Sequence, residues 1–233
     1  MSKPTAIYID GYNLYYSRIR GTPFKWLDVV RLFEQLLRDQ DPASELLLVR
    51  YFSAFCLARF ASNGTASAAA QTSFLRAHEV LHGPRFVKTM GIHTHDRSGT
   101  AMPRYVEDAK FDRHDRVKVW KLEEKQTDVN LALAMYRDAR SEKFSQLVVC
   151  SNDSDVEPVL RAIREDYPDL RLGVVTPREP PGSGRTRHRN ALSSLSRHAD
   201  WTRHHIRDEE LSAAQLPDRV QTGKKPIDKP KHW

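Results

Sequence analysis

The sequence has few cysteines and no long apolar run. Its 233 residues include two cysteines, Cys56 and Cys150, which are far apart and form no CxxC pair. This argues against a zinc site or a redox motif, and isolated thiols fit a reducing compartment. No apolar run approaches the ~18 residues that a membrane span requires, and the N-terminal stretch meets a charge too early for a signal peptide. We therefore expect a cytoplasmic protein that does not engage a membrane.

The composition is that of a globular protein with a basic balance. Hydrophobic residues make up 39% of the chain and charged residues 29%, and the formal net charge is +7. A positive balance favours an anionic partner, of which nucleic acid is the most common. A basic surface that only aids solubility would give the same net charge.

Short apolar runs alternate with amphipathic segments along the chain. Because strands that alternate with helices favour a parallel sheet covered on both faces, this order predicts an α/β fold with a mostly parallel central sheet. The predicted strands are residues 5–9, 45–52, 85–92, 117–121, 146–150 and 171–175. The predicted helices are residues 26–38, 66–82, 128–140 and 155–164.

Two polar stretches stand apart from this pattern. Residues 93–115 contain many basic side chains and are predicted to form a long loop, a kind of segment that is often functional. From residue 208 the apolar density drops, and lysines cluster near prolines. We therefore expect one domain over residues 1–207 and a basic, flexible tail over residues 208–233.

Acidic side chains follow several of the predicted strands. Asp10 directly follows the first strand, Asp153 and Asp155 follow the strand at 146–150, and Asp128 begins a helix. In open α/β sheets, ligands bind beyond the carboxyl ends of the strands. Clustered carboxylates repel each other unless a cation neutralises them, and their oxygens favour Mg²⁺ or Mn²⁺. Such an ion can activate water against a phosphate ester.

Each of these acids also has an ordinary structural interpretation. Asp10 with Gly11 could form a tight turn. Asp128 could interact with the helix macrodipole, and Asp155 could cap the helix that follows it. The combination of all of them at strand ends favours a binding site.

Three segments at these strand ends resemble the motifs of NYN domains, a family similar to PIN domains and flap-type nucleases. They are residues 9–14 (Ile-Asp-Gly-Tyr-Asn-Leu), 124–132 (Glu-Lys-Gln-Thr-Asp-Val-Asn-Leu-Ala) and 151–156 (Ser-Asn-Asp-Ser-Asp-Val). Their order and separations match the family, and the resemblance covers roughly residues 5 to 200. Asn152 stands where many relatives carry Gly, so the turn there departs from the family pattern.

The resemblance implies a PIN-like, three-layer α/β/α fold and a ribonuclease activity that requires Mg²⁺ or Mn²⁺. It implies that Asp10, Asp128 and Asp153 bind metal and take part in catalysis, with Asp155 as a fourth carboxylate. Lys125 would lie near the scissile phosphate as a further catalytic residue. The residues expected to position a carboxylate or to contact the phosphate are Asn13, Ser151 and Asn152.

Basic and aromatic side chains interleave in a way that is typical of single-stranded RNA binding, with cations on phosphates and rings under bases. The candidate contacts are Tyr12, Arg18, Arg185, Arg187 and Arg189. Packed tyrosines and solvated arginines would give the same pattern. A homodimer stays open, and the sequence indicates no specific protein partner.

Other functions stay open at this point. One is a catalytically weak RNA-binding regulatory module on the same fold. Another is an oxidoreductase or phosphatase that acts on a small molecule. An oxidoreductase would require a Gly-rich phosphate turn after a strand, whereas the first strand ends in Asp-Gly-Tyr-Asn. The pair His93 and His95 lacks a third ligand, so an ordinary polar loop fits it better than a zinc site.

Overall fold

The computed structural model describes residues 2–181 and 192–233. The strands, in chain order, are β1 (Lys3–Asp10), β2 (Ser44–Ala54), β3 (Phe86–His95), β4 (Thr100–Pro103), β5 (Arg116–Val119), β6 (Leu122–Lys125), β7 (Gln146–Cys150), β8 (Arg171–Val175), β9 (Trp201–Arg203), β10 (Arg219–Val220) and β11 (Ile227–Asp228). The helices are α1 (Gly11–Leu14), α2 (Val29–Gln40), α3 (Thr65–His82), α4 (Thr127–Arg140), α5 (Glu157–Asp166), α6 (Leu192–Ser196) and α7 (Asp208–Ala213).

The central sheet has the strand order β6-β3-β2-β1-β7-β8-β9 within the described part of the chain. All neighbouring pairs in it are parallel except β3 and β6, which are antiparallel. β1 lies at the centre, with β2 on one side and β7 on the other. This confirms the prediction of a mostly parallel sheet.

The sheet is covered by helices on both faces. Alternate side chains of a strand point to opposite faces; Ile7 and Ile9 of β1 pack with α2, α3 and α7, whereas Ala6 and Tyr8 pack with α4, α5 and α6. Because β1 is buried on both faces, its sequence is a continuous apolar run rather than an alternating one. The three-layer α/β/α architecture is therefore confirmed.

Helix α2 shows how local chemistry sets the element boundaries. The apolar spacing predicted a helix from residue 26, yet α2 begins at Val29. The carboxylate of Asp28 accepts a hydrogen bond from the backbone N–H of Arg31 at 3.0 Å, so Asp28 is the N-cap. Trp26 and Leu27 are buried before the helix starts, which explains why they fit its apolar pattern.

The segment predicted as a long loop at 93–115 contains more β-structure than its sequence indicated. Strand β3 continues to His95 and pairs with β6, so that His93 lies opposite Glu124. Strands β4 and β5 form a separate antiparallel ribbon. The ribbon buries no complete face, and without such a face the sequence has no apolar alternation from which a strand could be predicted.

The prediction of a flexible tail at residues 208–233 is wrong. This segment contains α7, β10 and β11, and Leu211 and Val220 are buried in the core. The indole N–H of Trp26 donates to the carbonyl of Pro217 at 2.8 Å, and the ring of Trp233 lies 6.1 Å from that of Trp26. A few well-placed apolar residues anchor the segment, although its average composition is polar.

No helix in the described ranges is both long and apolar enough to span a bilayer.

The packing of the C-terminal segment generates a stability prediction. Leu211 is fully buried, so Leu211→Ala should lower the free energy of unfolding by roughly 2–5 kcal/mol through lost burial and a residual cavity. The same substitution at Leu133, which is half exposed on α4, is the matched control and should cost less than about 1 kcal/mol. Equal effects of the two substitutions in urea denaturation would show that the segment does not stabilise the domain.

Candidate active site

The candidate site lies where the sheet changes its winding direction. β1 and β7 are parallel neighbours, but the chain leaves them towards opposite faces. Helix α2, which follows β1, packs on the face of Ile7, and α5, which follows β7, packs on the other face. Such a divergence opens a crevice at the carboxyl ends of the two strands, where α/β proteins bind ligands.

Asp10 lies at the floor of this crevice and is only 4% exposed. It ends β1 and caps α1, with its Oδ1 accepting a hydrogen bond from the backbone N–H of Asn13 at 2.9 Å. Its Oδ2 accepts from the hydroxyl of Ser151 at 3.1 Å. A helix therefore starts where the sequence suggested a tight turn. A Cβ at Gly11 would lie 2.4 Å from the ring of Tyr51, so the absence of a side chain there allows the approach.

The loop after β7 is fastened to the end of β1 by further hydrogen bonds. The side-chain oxygen of Asn13 accepts from the backbone N–H of Asn152 at 3.1 Å. The hydroxyl of Ser151 accepts from the N–H of Asp153 at 3.1 Å, and Asp153 accepts from the N–H of Asp155 at 3.1 Å. This network gives Asn13, Ser151 and Asn152 defined positions around Asp10. Asp153 is half-buried, and Asp155 is exposed.

The third predicted acid, Asp128, lies in the first turn of α4. Gln126, just before this helix, has a left-handed φ of 78°, a conformation that costs energy for a residue other than glycine. Gly91 on β3 lets the junction approach closely, since a Cβ there would lie 2.5 Å from the carbonyl oxygen of Lys125. The turn between β6 and α4 is thus packed tightly against the sheet.

The acids of the crevice influence one another electrostatically. The pKa of Asp10 is raised to about 7, mainly by burial and further by the charges of Asp128 and Asp153, while the hydrogen bonds from Asn13 and Ser151 oppose the rise. Burial, Asp153 and Asp155 raise the pKa of Asp128. The predicted metal-binding acids therefore share one region, and their negative charges repel each other there.

Glu124 belongs to the same region, although sequence reasoning did not select it. Burial and the charge of Asp128 raise its pKa, and the hydroxyl of Thr127 donates to its carboxylate. Glu124 lies four residues before Asp128 on a strand that turns directly into α4. That short separation was the available signal, but it became meaningful only once the antiparallel strand β6 was known.

The donor set suits a hard divalent cation. Among the residues that the structure describes, no group of three or more acidic, histidine or cysteine side chains is arranged to hold a metal ion. Mg²⁺ does not require one, because it is usually held by one or two carboxylates together with waters and substrate phosphates. Mutually repelling carboxylates around a buried Asp10 fit that mode of binding.

Lys125, which the sequence analysis predicted to be catalytic, pairs with a neighbouring acid of β6. Its ammonium group is 3.0 Å from the carboxylate of Glu123, and adjacent side chains of a strand point to opposite sides. The charge of Asp128 acts on Glu124, the residue between Glu123 and Lys125. A catalytic role of Lys125 stays a prediction and would require its side chain to leave Glu123.

The structure contradicts the expected RNA contact at Arg18. Its side chain is 0% exposed and forms an ion pair with Asp208, and its Nε donates to the carbonyl of Ile206 at 2.7 Å. Arg18 therefore holds the C-terminal segment. Tyr12 is half-buried beside the crevice. The other predicted contacts, Arg185, Arg187 and Arg189, lie outside the described residues.

Comparisons with known proteins identify a family, one curated relative and one solved structure that resemble this chain. A family model described as "NYN domain" matches residues 4–179, and this domain suggests a nuclease-type function. A curated protein of Pseudomonas putida, named 6-hydroxy-3-succinoylpyridine 3-monooxygenase HspA, is 39% identical over 242 residues, covering 98% of this chain and 75% of that protein. A solved structure of a protein of unknown function from Vibrio parahaemolyticus has a TM-score of 0.49 and 18% identity, covering 89% of this chain and 95% of that chain.

The raised pKa of Asp10 generates a prediction for the metal-free protein. The ordinary value is 3.8 and the folded value about 7, so between these pH values the folded state binds more protons than the unfolded state. Stability should therefore fall as the pH rises through this window. Asp10→Asn removes this penalty and should stabilise the protein by a few kcal/mol at pH 8, at about 1.4 kcal/mol per pKa unit.

The measurement is thermal unfolding in EDTA at several pH values. The stabilisation by Asp10→Asn should shrink as the pH falls and approach zero below pH 3.8, the ordinary pKa, where Asp10 becomes protonated in both states. Asp169→Asn, at an exposed acid away from the crevice, is the control and should show no such trend. A pH-independent effect of Asp10→Asn would rule out the electrostatic explanation.

Proposed function

The chain belongs to the NYN domain family, and from this premise we propose that it is a metal-dependent ribonuclease that hydrolyses RNA phosphodiester bonds. The observation that carries the proposal is the acidic cluster around Asp10 at the divergence of β1 and β7. The ionised form of a buried carboxylate is destabilised in the free protein when like charges surround it. A divalent cation that also binds a phosphate would stabilise that ionised form.

In this proposal Asp10, Asp128 and Asp153 hold Mg²⁺ or Mn²⁺, and Asp155 and Glu124 supply further carboxylate oxygens. When bound, such a cation polarises a phosphate oxygen and lowers the pKa of a coordinated water. The protein contributes orientation. The N–H of Asn13 and the hydroxyl of Ser151 fix both oxygens of Asp10. Because the carboxylate is already oriented, binding the cation costs less side-chain entropy.

The loop after β7 supports the same chemistry. Asn13 ties the N–H of Asn152 to the end of β1, which keeps Asp153 next to the floor of the crevice. The network therefore couples the two strand ends that carry the acids. Loss of any hydrogen bond in this network would let the carboxylates move apart, because their negative charges repel each other.

A second candidate is a monooxygenase that acts on a small aromatic molecule. It is favoured by the 39% identity to the Pseudomonas putida protein of that name, which extends over 98% of this chain. The crevice argues for the first candidate, because β1 ends in Asp10-Gly11 rather than in a Gly-rich turn that would bind a dinucleotide pyrophosphate. An anionic cofactor at that position would meet the carboxylates of the cluster.

The decisive test is cleavage of labelled single-stranded RNA in the presence of Mn²⁺, Mg²⁺ or EDTA. We expect cleavage that requires the metal and that falls by at least about 100-fold in Asp10→Asn and in Asp128→Asn, since each removes a metal-binding charge. Asp10→Asn, prepared in the same way, controls for contaminating nucleases, whereas Asp169→Asn, at an exposed acid away from the crevice, should retain full activity.

The two candidates give different outcomes. Undiminished cleavage by the Asp10→Asn, Asp128→Asn double variant would rule out the acidic cluster as the active site. Absence of cleavage by the wild type, together with oxygen consumption that depends on 6-hydroxy-3-succinoylpyridine and a reduced nicotinamide, would favour the monooxygenase. Salt-sensitive RNA binding without either reaction would indicate a regulatory module.

Glu124 allows a sharper test of the proposed metal site. If its carboxylate helps to hold the cation, Glu124→Gln should raise the Mn²⁺ concentration for half-maximal cleavage by about tenfold or more and change the maximal rate less. Glu123→Gln is the matched control, because Glu123 is adjacent in sequence but pairs with Lys121 and Lys125. The same metal dependence in both variants would exclude Glu124 from the site.

A further inference from the structure

A group of aromatic rings begins beside the acidic cluster. The rings of Tyr12 and Tyr16 are 4.9 Å apart, and the ring of Tyr12 is 5.9 Å from that of His93. Tyr12 follows Asp10 by two residues, and the charge of Glu124 contributes to its raised pKa. Tyr16 is 50% exposed. The rings therefore lead from the crevice to the surface.

Hydrogen bonds give His93 a fixed orientation between these rings and the loop after β2. Its Nδ1 is 2.9 Å from the carbonyl oxygen of Phe55, and since a carbonyl only accepts, Nδ1 carries the proton. The Nε2 atom lies 3.2 Å from the hydroxyl oxygen of Tyr12, within hydrogen-bonding distance. A ring held from both sides is a rigid surface rather than a mobile side chain.

A second group of rings surrounds His95. The ring of His95 is 5.1 Å from that of Phe60 and 6.5 Å from that of Trp120. Phe60 and Trp120 are 6.2 Å apart. Trp120 is 57% exposed, so this group also ends at the surface with an accessible ring.

Strand β3 joins the two groups into one row. His93 and His95 are alternate residues of β3, so their side chains point to the same side at a separation of about 6.7 Å. We call the series Tyr16, Tyr12, His93, His95, Phe60 and Trp120 the aromatic row.

An arginine lies on the ring at each end of the aromatic row. The guanidinium of Arg20 is 5.3 Å from the ring centroid of Tyr16, and that of Arg59 is 4.5 Å from the ring centroid of Trp120. Guanidinium groups stay charged at any physiological pH and bind phosphates with two parallel hydrogen bonds. The row thus combines flat rings with positive charge, outside the acidic crevice.

We propose that the aromatic row binds a single-stranded RNA, with bases stacked on its rings and phosphates on Arg20 and Arg59. The proposal rests on the ribonuclease function proposed above and extends it by assigning the path of the strand away from the acidic cluster. Rings under successive bases and cations on the backbone are the recognised means of holding single strands, and they act with little sequence preference. A duplex hides its base faces and does not fit such a surface.

The accessible ring of Trp120 provides a direct test. A labelled oligouridylate of about eight nucleotides is titrated with protein in EDTA at low salt, where no cleavage interferes, and both anisotropy and tryptophan emission are recorded. We expect binding to quench the emission. Trp120→Ala and Tyr16→Ala should each weaken binding by roughly 5- to 150-fold, the range for the loss of one stacked base.

Two matched variants make the test specific. Trp120→Phe keeps a ring for stacking, so it should bind within about threefold of the wild type but lose most of the quenching. Tyr105→Ala removes an aromatic side chain that is 87% exposed and lies outside the aromatic row, so it should leave the affinity unchanged. Wild-type affinity in both Trp120→Ala and Tyr16→Ala would overturn the proposal.

Binding of other ligands tests the specificity of the aromatic row. A duplex of the same length, or a single nucleoside, that bound as tightly as the oligouridylate would also overturn the proposal. A matched oligodeoxythymidylate of equal affinity would support it as a single-strand surface that does not read the 2′-hydroxyl.

The outcome is separable from that for the proposed nuclease. Binding that depends on Trp120 and Tyr16 without any metal-dependent cleavage would support the aromatic row and refute the ribonuclease. The opposite result is also possible. If cleavage requires Asp10, and if both cleavage and RNA binding are unchanged in Trp120→Ala and Tyr16→Ala, the proposed role of the aromatic row is refuted and the proposed ribonuclease activity stands.

Discussion

The candidate site depends on the hydrogen bonds that Asp10 accepts from Asn13 and Ser151, of which the bond from Ser151 joins the end of β1 to the end of β7. They hold a carboxylate that is almost fully buried and that like charges destabilise. The favourable contacts are neutral N–H and O–H donors, which restrain the carboxylate without neutralising it. Its negative charge is thus left to interact with a cation, which is a property expected of a binding site and not of a structural ion pair.

Other buried charged side chains form ion pairs, unlike Asp10. Arg18 is paired with Asp208, and Glu210 is paired with Arg203 and Arg207. Both sets join the C-terminal segment to the domain, and each buried charge has a partner of opposite sign, as stability requires. In the crevice, acids occur together for which the described part of the chain supplies no such partner. This contrast separates the charges that maintain the fold from those that are available for chemistry.

The sequence was informative where short-range patterns determine the structure. Strands β7 and β8 were predicted with the bounds that the structure has, because continuous apolar runs between turns have few alternatives. The sequence was misleading where a single long-range contact determines the position of a side chain. Arg18 looked like a surface cation but is buried by a segment nearly 190 residues away, and Glu124 became a candidate only through the pairing of β6 with β3. Tyr12 was predicted to contact RNA, but the aromatic row as a whole could not be foreseen, since its rings come from four separate segments.

The aromatic row also bears on the choice between a polymer and a small molecule. One small aromatic substrate would contact one or two rings next to the acids, and Tyr12 with His93 would suffice for it. The row continues past them along β3 to Phe60 and Trp120, and both of its ends are exposed and carry an arginine. Exposed aromatic surface is unfavourable in water unless a partner covers it. A surface that extends this far from the reacting groups is best explained by a ligand that extends equally far, which favours a nucleic acid strand over a single ring.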